Sequence, residues 1–185
     1  MINFQYIWII YPRLLTIFII ISYILIRIGK LNNAIAQKLF VIIGTLLGFF
    51  MFALPFFKQP TFSNIFISYI IGIPIALFGL IFRIYPMLYL KIHKTTTNLG
   101  EVKKVVDTGP YRIMRHPQYF AGIILMLGWF LIWGAIYCLY LLPLFIFLTF
   151  IQAFVEEKYI LEKEFGKEYI EYMKTVKMFL PTFKK

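Results

Sequence analysis

The sequence predicts an all-α integral membrane protein with about five transmembrane helices, of which the last two form a tight hairpin. Hydrophobic residues make up 61% of the 185 residues, and the mean hydropathy is +0.81. Charged residues make up only 15%, against about 25% in a typical soluble domain. The apolar residues gather in long runs, as they do in membrane-spanning helices. This composition excludes an ordinary soluble globular domain, a disordered chain and a disulfide-stabilised scaffold.

Three apolar runs are each long enough to cross a bilayer, because a helix needs about 20 apolar residues to do so. They cover residues 7–26, 39–57 and 64–90, and the third contains a single charge, Arg83. The first run is interrupted mainly by Pro12 and Arg13. In the second run, Gly44 and Gly48 form a G-x-x-x-G pattern, which favours close helix packing.

The fourth apolar run extends from Tyr119 to Val155, which is 37 residues without a charge. It is too long for one membrane span and long enough for two. Trp133-Gly134-Ala135 is the expected position of the break. The run therefore predicts a helical hairpin with almost no external loop, and Pro143 predicts a kink in its second arm.

The Lys and Arg residues fall on one side of the membrane if the chain has five spans. The basic segments contain Arg27, Lys30 and Lys38, then Lys91, Lys94, Lys103, Lys104, Arg112 and Arg115, then seven lysines from Lys158 to Lys185. The loops on the other side contain only Lys58. The positive-inside rule places the basic side in the cytoplasm, and so the N-terminus outside. The net charge of +11 is thus explained by orientation, and we expect no nucleic-acid partner.

The location is expected to be the plasma membrane of a microbe, since the chain is rich in Ile, Phe, Lys and Tyr, residues with AT-rich codons. The single cysteine, Cys138, cannot form a disulfide within the chain. No cluster of His, Cys and Asp has the spacing of a metal site, and we expect no metal.

The start of the fourth helix is a candidate anion site. Pro117 suits the first helical position, and the free N–H groups of a helix start attract anions. Arg112, Arg115 and His116 stand beside this start in the sequence.

The candidate carboxylates are Glu156 and Glu157, which lie where the fifth helix leaves the bilayer. All eight acidic residues lie beyond position 100. Because the fourth and fifth helices are hairpin partners, Pro117 and Glu156 should be neighbours at the open end of the hairpin. The sequence thus predicts one cytoplasmic pocket of mixed charge, which suits a zwitterion such as S-adenosylmethionine.

Two motifs in this region resemble those of a known family. The stretch from Gly109 to Tyr119, with Gly122 three residues on, resembles the G-P-Y-x-x-x-R-H-P-x-Y-x-x-G signature of the isoprenylcysteine carboxyl methyltransferase and phospholipid methyltransferase group. The tail from Glu156 to Pro181 resembles the C-terminal motif of the same group. We therefore divide the single membrane domain 1–185 into scaffold helices 1–97 and a methyltransferase-like region 98–181. Only eight residues separate Leu99-Gly100 from Gly109, fewer than the family often has.

The resemblance implies S-adenosylmethionine-dependent methyl transfer to a lipophilic or lipid-modified acceptor in the membrane, with S-adenosylhomocysteine as the product. The cofactor-binding residues that it implies are Gly109, Pro110, Tyr111, His116, Pro117, Tyr119, Glu156 and Glu157. The catalytic candidates are Arg115 and Arg83, which could orient an acidic acceptor, and Glu156, which could serve an amine.

Alternatives remain for the function and for these residues. The acceptor could be an isoprenylcysteine-like carboxylate, a phospholipid amine, a quinone-like group or a small thiol. A non-enzymatic transporter or channel subunit would instead need polar residues at mid-membrane. Arg83 could simply snorkel to the surface, His116 could cap its helix, and the two glutamates could form a solvated helix exit.

Overall fold

A computed structural model describes residues 6–27, 34–93 and 104–182. These residues form helices and turns, with one isolated β-bridge between Thr61 and Ala135, so the predicted all-α class is confirmed for the described part. The helices are α1 Ile7–Arg27, α2 Ala34–Ala53, α3 Ile65–Ile92, α4 Pro110–Ile113, α5 Pro117–Ile132, α6 Ile136–Glu156, α7 Glu162–Phe165 and α8 Lys167–Thr175. A 3₁₀ turn, Leu54–Phe56, follows α2, and a π-helical segment, Glu157–Leu161, joins α6 to α7. The predicted markers Lys30, Lys94, Leu99-Gly100, Glu101 and Lys103 lie outside the described residues.

Two helical stretches of the described chain are long and apolar enough to cross a membrane. They are Ile65–Ile92 and the continuous stretch Ile136–Phe165. Three shorter apolar stretches accompany them, Ile7–Ile21, Ile42–Phe56 and Pro117–Ile132. Two of the five predicted spans therefore correspond to helices that are long and apolar enough to cross a membrane. Large apolar side chains such as Phe66 and Ile81 point outward from α3, a pattern that indicates contact with lipid.

The hairpin of α5 and α6 turns where the sequence predicts. Gly134 has φ +57°, a conformation that glycine adopts without steric cost. The loop after α2 crosses beneath the turn, where Phe62 N donates to Gly134 O and Ile136 N donates to Pro60 O. These bonds fix the closed end of the hairpin and leave its open end at Pro117 and Glu156.

Glycines bring α3 and α5 into backbone contact. A Cβ on Gly72 would lie 2.5 Å from Ile132 N, and one on Gly79 would lie 2.7 Å from Leu125 Cα. On α5, a Cβ on Gly128 would lie 2.6 Å from the Cα of Ala76. Close approach of backbones through small residues is the usual packing mode of helices in membranes. This close packing of α3 against α5 places the last turns of α3 beside the first turn of α5.

The G-x-x-x-G pattern of α2 also serves packing. Gly44 faces Gln152 of α6, and a Cβ on Gly48 would lie 3.6 Å from the ring of Phe145. The buried core near the hairpin turn joins α1, α2, α5 and α6. Its largest fully buried members include Tyr11, Leu15, Met51, Leu54 and Phe130.

Candidate functional site

A cavity of about 250 Å³ lies at the open end of the hairpin, between α3, α5, α6 and the tail helices. Pro117 and Glu156 both line it, so the predicted proximity of the two helix ends is confirmed. Its polar and charged lining consists of Arg83, Lys104, Tyr111, Arg115, His116, Gln118, Tyr119, Glu156, Tyr169 and Tyr172. Leu90, Val105, Val106, Leu161 and Phe165 complete the wall.

The Gly-Pro-Tyr turn is held against the end of α3. Gly109 precedes α4 with φ +57°, and Pro110 is the buried first residue of that helix. The ring of Tyr89 fills the space beside Gly109, since a Cβ there would lie 2.5 Å from two ring carbons. Tyr89 also donates its hydroxyl to Thr108 Oγ1 at 3.0 Å. Glycine is therefore required at position 109 for two independent reasons, its backbone conformation and this contact.

We expect Gly109→Ala to destabilise the fold, because it adds both backbone strain and a clash with Tyr89. Gly166 is a matched control, with φ +56° but no atom within 4 Å of an added Cβ. Strain alone costs about 1–3 kcal/mol, so Gly166→Ala should lower the unfolding midpoint in detergent and Gly109→Ala should lower it further. Equal shifts would show that Tyr89 yields without cost.

Glu157 is buried and makes a closed network with two neighbours from the motif. Arg115 donates from Nε to Oε1 at 2.6 Å and from Nη2 to Oε2 at 3.0 Å. His116 Nε2 lies 2.8 Å from Oε1. A two-point Arg–carboxylate contact is strong and fixes both planes. Both oxygens of Glu157 are thus engaged, and this residue is not part of the cavity wall.

Arg115 also ties the C-terminal tail to the start of α5. Its Nη1 donates to the carbonyls of Met173 and Val176. The backbones pair as well, with Arg115 N donating to Lys177 O at 3.0 Å and His116 N donating to Met178 O at 3.1 Å. Four N–H groups of the Arg115 guanidinium are therefore used within the protein.

Glu156 differs from its neighbour, because it lines the cavity and one of its carboxylate oxygens is left without a hydrogen bond. Its Oε2 is buried and has no hydrogen-bond partner among the described residues. The nearest cationic candidate is His116, whose Nδ1 lies 3.9 Å away, beyond hydrogen-bonding distance. A buried carboxylate oxygen without a partner is costly. The structure therefore distinguishes the two glutamates, because Glu156 lines the cavity and Glu157 does not. The sequence alone did not show this difference.

Tyr111 lies in the wall beside Gln118 and Tyr172. Gln118 Nε2 donates to its hydroxyl at 3.1 Å, and Tyr172 donates its own hydroxyl to the carbonyl of Tyr111 at 2.6 Å. Burial raises the pKa of Tyr111 to about 12, and burial also raises the pKa values of Tyr169 and Tyr172. All three phenols are therefore neutral at physiological pH and act as hydrogen-bonding groups rather than as bases.

Arg83 reaches the cavity from α3. Its Nη1 donates to Gln118 O at 3.3 Å, and a Cβ on Gly122 would lie 2.7 Å from the same nitrogen. The absence of a side chain at Gly122, the last position of the first motif, thus leaves room for Arg83. The cavity has cations at Arg83 and Lys104 and a carboxylate at Glu156.

Several wall residues were not predicted from the sequence. Lys104, Gln118, Tyr169 and Tyr172 all line the cavity. The two tyrosines are three residues apart on α8 and form its buried face together with Val176. The three-residue spacing of Tyr169 and Tyr172 is typical of one face of a helix, and it was the feature of the sequence that could have identified these two residues.

The comparison with protein families agrees with this geometry. Residues 67–168 match the model of the phospholipid methyltransferase family, which is a family of methyltransferases. The match covers more than half of the chain and includes Gly109, His116, Glu156 and Glu157. No curated protein and no solved structure matches the chain. The resemblance carried by the two motifs is thereby confirmed, and the chain belongs to the phospholipid methyltransferase family.

Proposed function

We propose that this protein is an integral membrane methyltransferase that uses S-adenosylmethionine to methylate a lipophilic acceptor and releases S-adenosylhomocysteine. The observation that carries the proposal is Glu156 Oε2, a buried oxygen without a hydrogen-bond partner among the described residues. Glu156 lines the cavity together with residues of both motifs. An unsatisfied buried acceptor in a cavity is a feature that ligand sites share.

The lining of the cavity fits this cofactor, which has a carboxylate, an ammonium and ribose hydroxyls. Glu156 would accept hydrogen bonds from the ammonium or the hydroxyls. The carboxylate would bind Arg83, Lys104 or the start of α5, where His116 makes no side-chain cap. Tyr111, Pro117 and Tyr119 would form the wall. Gly109 and Pro110, which the sequence predicts as cofactor-binding, do not line the cavity and would instead hold the turn that carries Tyr111. When bound, the cofactor supplies a methyl group on a sulfonium that is already activated for transfer.

The protein's own contribution is then to align the reactants and to exclude water. Arg115 binds both Glu157 and the carbonyls of the tail, so we assign Arg115 and Glu157 positioning roles, although the sequence pointed to Arg115 as catalytic and to Glu157 as a cofactor ligand. Leu161, Phe165, Tyr169 and Tyr172 cover the cavity from the tail side.

We further propose five membrane spans with this cavity on the cytoplasmic side. The cavity lies at the end of the bundle that contains Lys91, Lys104, Arg112 and Arg115, which supports that orientation through the positive-inside rule. The N-terminus would be outside and the C-terminus in the cytoplasm, in the plasma membrane of a microbe. The cofactor would enter from the cytoplasm and the acceptor sideways from the bilayer.

Two acceptor classes have support from different residues. An isoprenylcysteine-like carboxylate would be oriented by Arg83 and needs no general base. A phospholipid amine must first lose a proton, which Glu156 Oε2 could accept, and this class is compatible with the matched family. The non-enzymatic alternative has less support, because most charged residues of the described part lie at the cavity end of the bundle rather than at mid-membrane, Arg13 and Lys58 being the exceptions.

The decisive experiment is to incubate the purified protein in nanodiscs with methyl-labelled S-adenosylmethionine and either phosphatidylethanolamine or a farnesylcysteine analogue. We expect label in one lipid product. A methyl ester releases labelled methanol in base, whereas an N-methyl group does not, so hydrolysis identifies the acceptor atom. Glu156→Gln should lower the yield more than Glu171→Gln, an exposed control. No labelled product with either acceptor, together with no binding of S-adenosylhomocysteine, would contradict the proposal.

A further inference from the structure

A second groove, of about 710 Å³, lies at the opposite end of the protein from the cavity. It is formed by the start of α1, the loop after α2 and the start of α6. Its lining includes Trp8, Lys58, Gln59, Tyr137 and Tyr140, none of which belongs to the catalytic cavity. In the proposed topology, on which this inference rests, the groove opens at the outer surface of the membrane.

The charge of Lys58 has no acidic neighbour in the segments that build this groove. The sequence contains no Asp or Glu before position 101 and none between positions 108 and 155. Lys58 is exposed and lines the groove. An unbalanced ammonium at a membrane surface attracts anions, and lysine binds phosphate well as a point charge.

Gln59 lines the same groove and has a buried acceptor oxygen. Its Nε2 donates to Leu54 O at 3.3 Å and contacts Cys138 Sγ at 3.5 Å. Because the Leu54 carbonyl can only accept a hydrogen bond, the Gln59 atom that contacts it must be the amide nitrogen. Gln59 Oε1 is then left buried and without a partner among the described residues. A ligand that satisfies it must carry a hydroxyl or an ammonium.

Aromatic side chains give the groove the character of a membrane interface. Trp8 Nε1 donates to Lys58 O at 2.9 Å, and the Trp8 ring meets Tyr137 edge-on at 5.3 Å. Tyr140 at the rim is 78% exposed. Tyr and Trp are enriched at the level of lipid headgroups. The Trp8 bond also fixes the backbone at Lys58, so the cation is held beside the aromatic wall.

We propose that this groove binds the headgroup of an outer-leaflet phospholipid. The phosphate pairs with Lys58, a headgroup hydroxyl or ammonium donates to Gln59 Oε1, and the glycerol end lies along Tyr140. The bound lipid joins α1, the loop after α2 and α6. It is a structural ligand, separate from any lipid that is methylated at the other end.

The test uses the full chain, purified in detergent and stripped of lipid. The probe is dihexanoyl phosphatidylglycerol, compared with inorganic phosphate and with dihexanoylglycerol, and binding is read by native mass spectrometry and by the unfolding midpoint. We expect saturable binding of the phospholipid alone. Lys58→Gln should weaken it about tenfold or more, the effect of losing one charge-assisted hydrogen bond. Lys167→Gln, which changes an exposed residue at the start of α8, should not.

Three results would overturn the inference: equal binding of inorganic phosphate, equal binding of dihexanoylglycerol, or unchanged affinity in Lys58→Gln. Binding of S-adenosylhomocysteine is measured on the same samples. Lys58→Gln should leave that binding unchanged. Loss of cofactor binding with intact phospholipid binding would count against the proposed function alone.

Discussion

Glu157→Gln should destabilise the protein by about 3–5 kcal/mol, the usual cost of removing one member of a buried ion pair. Glu157 is only 4% exposed, and Arg115 binds it through two nitrogens. The amide cannot neutralise Arg115, so a buried guanidinium is left without its counter-charge. Because Arg115 also binds the carbonyls of Met173 and Val176, the tail should loosen as well. The unfolding midpoint in detergent measures the loss, and limited proteolysis near residue 176 reports the release of the tail.

Glu171→Gln is the matched control for this experiment. Glu171 pairs with Lys174 on the surface of α8, where both side chains are more than half exposed. Exposed pairs contribute about 0–1 kcal/mol, so the same chemical change should leave the midpoint nearly unchanged. If both variants unfold at the same temperature, the Arg115–Glu157 pair does not hold the tail in place.

The general shape of the site was predictable from local signals. The hairpin break depends on a glycine that can adopt positive φ, and Gly134 does so. Once the break is known, the ends of an antiparallel pair must meet, which places Pro117 near Glu156. The membrane character follows from composition in the same direct way, because no soluble core could bury such long apolar runs.

The different roles of Glu156 and Glu157 could not be predicted from the sequence. Adjacent residues on a helix point about 100° apart, so one of them faces the cavity and the other does not. Which one does so depends on the rotation of α6 about its axis, and tertiary packing sets that rotation. The π-helical segment that begins at Glu157 changes the residue spacing as well, so an ideal helix cannot be extended into the tail.

The contacts that hold the Gly-Pro-Tyr turn could not be predicted from the sequence either. Tyr89 and Gly109 are far apart in sequence, and they meet only because Gly72, Gly79 and Gly128 let α3 and α5 approach closely. Those glycines are spread over two apolar runs and form no single motif. Contacts that depend on the depth of helix packing cannot be obtained from periodicity alone.

Glu156→Gln should weaken the binding of S-adenosylhomocysteine about tenfold or more while leaving stability unchanged. The product keeps the ammonium and the ribose hydroxyls that we assign to Glu156, and a hydrogen bond to a charged group contributes about 1.5–3 kcal/mol. The amide has the same shape, so the cavity wall is retained. Because Oε2 has no hydrogen-bond partner among the described residues, the substitution breaks no bond at that oxygen. Isothermal titration calorimetry on the purified protein gives the affinity, and the unfolding midpoint without ligand gives the stability.

The two glutamate variants together separate binding from folding. If the assignments are right, Glu156→Gln lowers affinity at constant stability, and Glu157→Gln lowers stability first. The affinity of folded Glu157→Gln for S-adenosylhomocysteine should fall only if the substitution displaces the start of α5. Unchanged affinity in Glu156→Gln, with a large loss in a fully folded Glu157→Gln, would reverse the roles. That result would mean that α6 rotates on binding the cofactor, and that the closed Arg115–His116–Glu157 network opens to admit it.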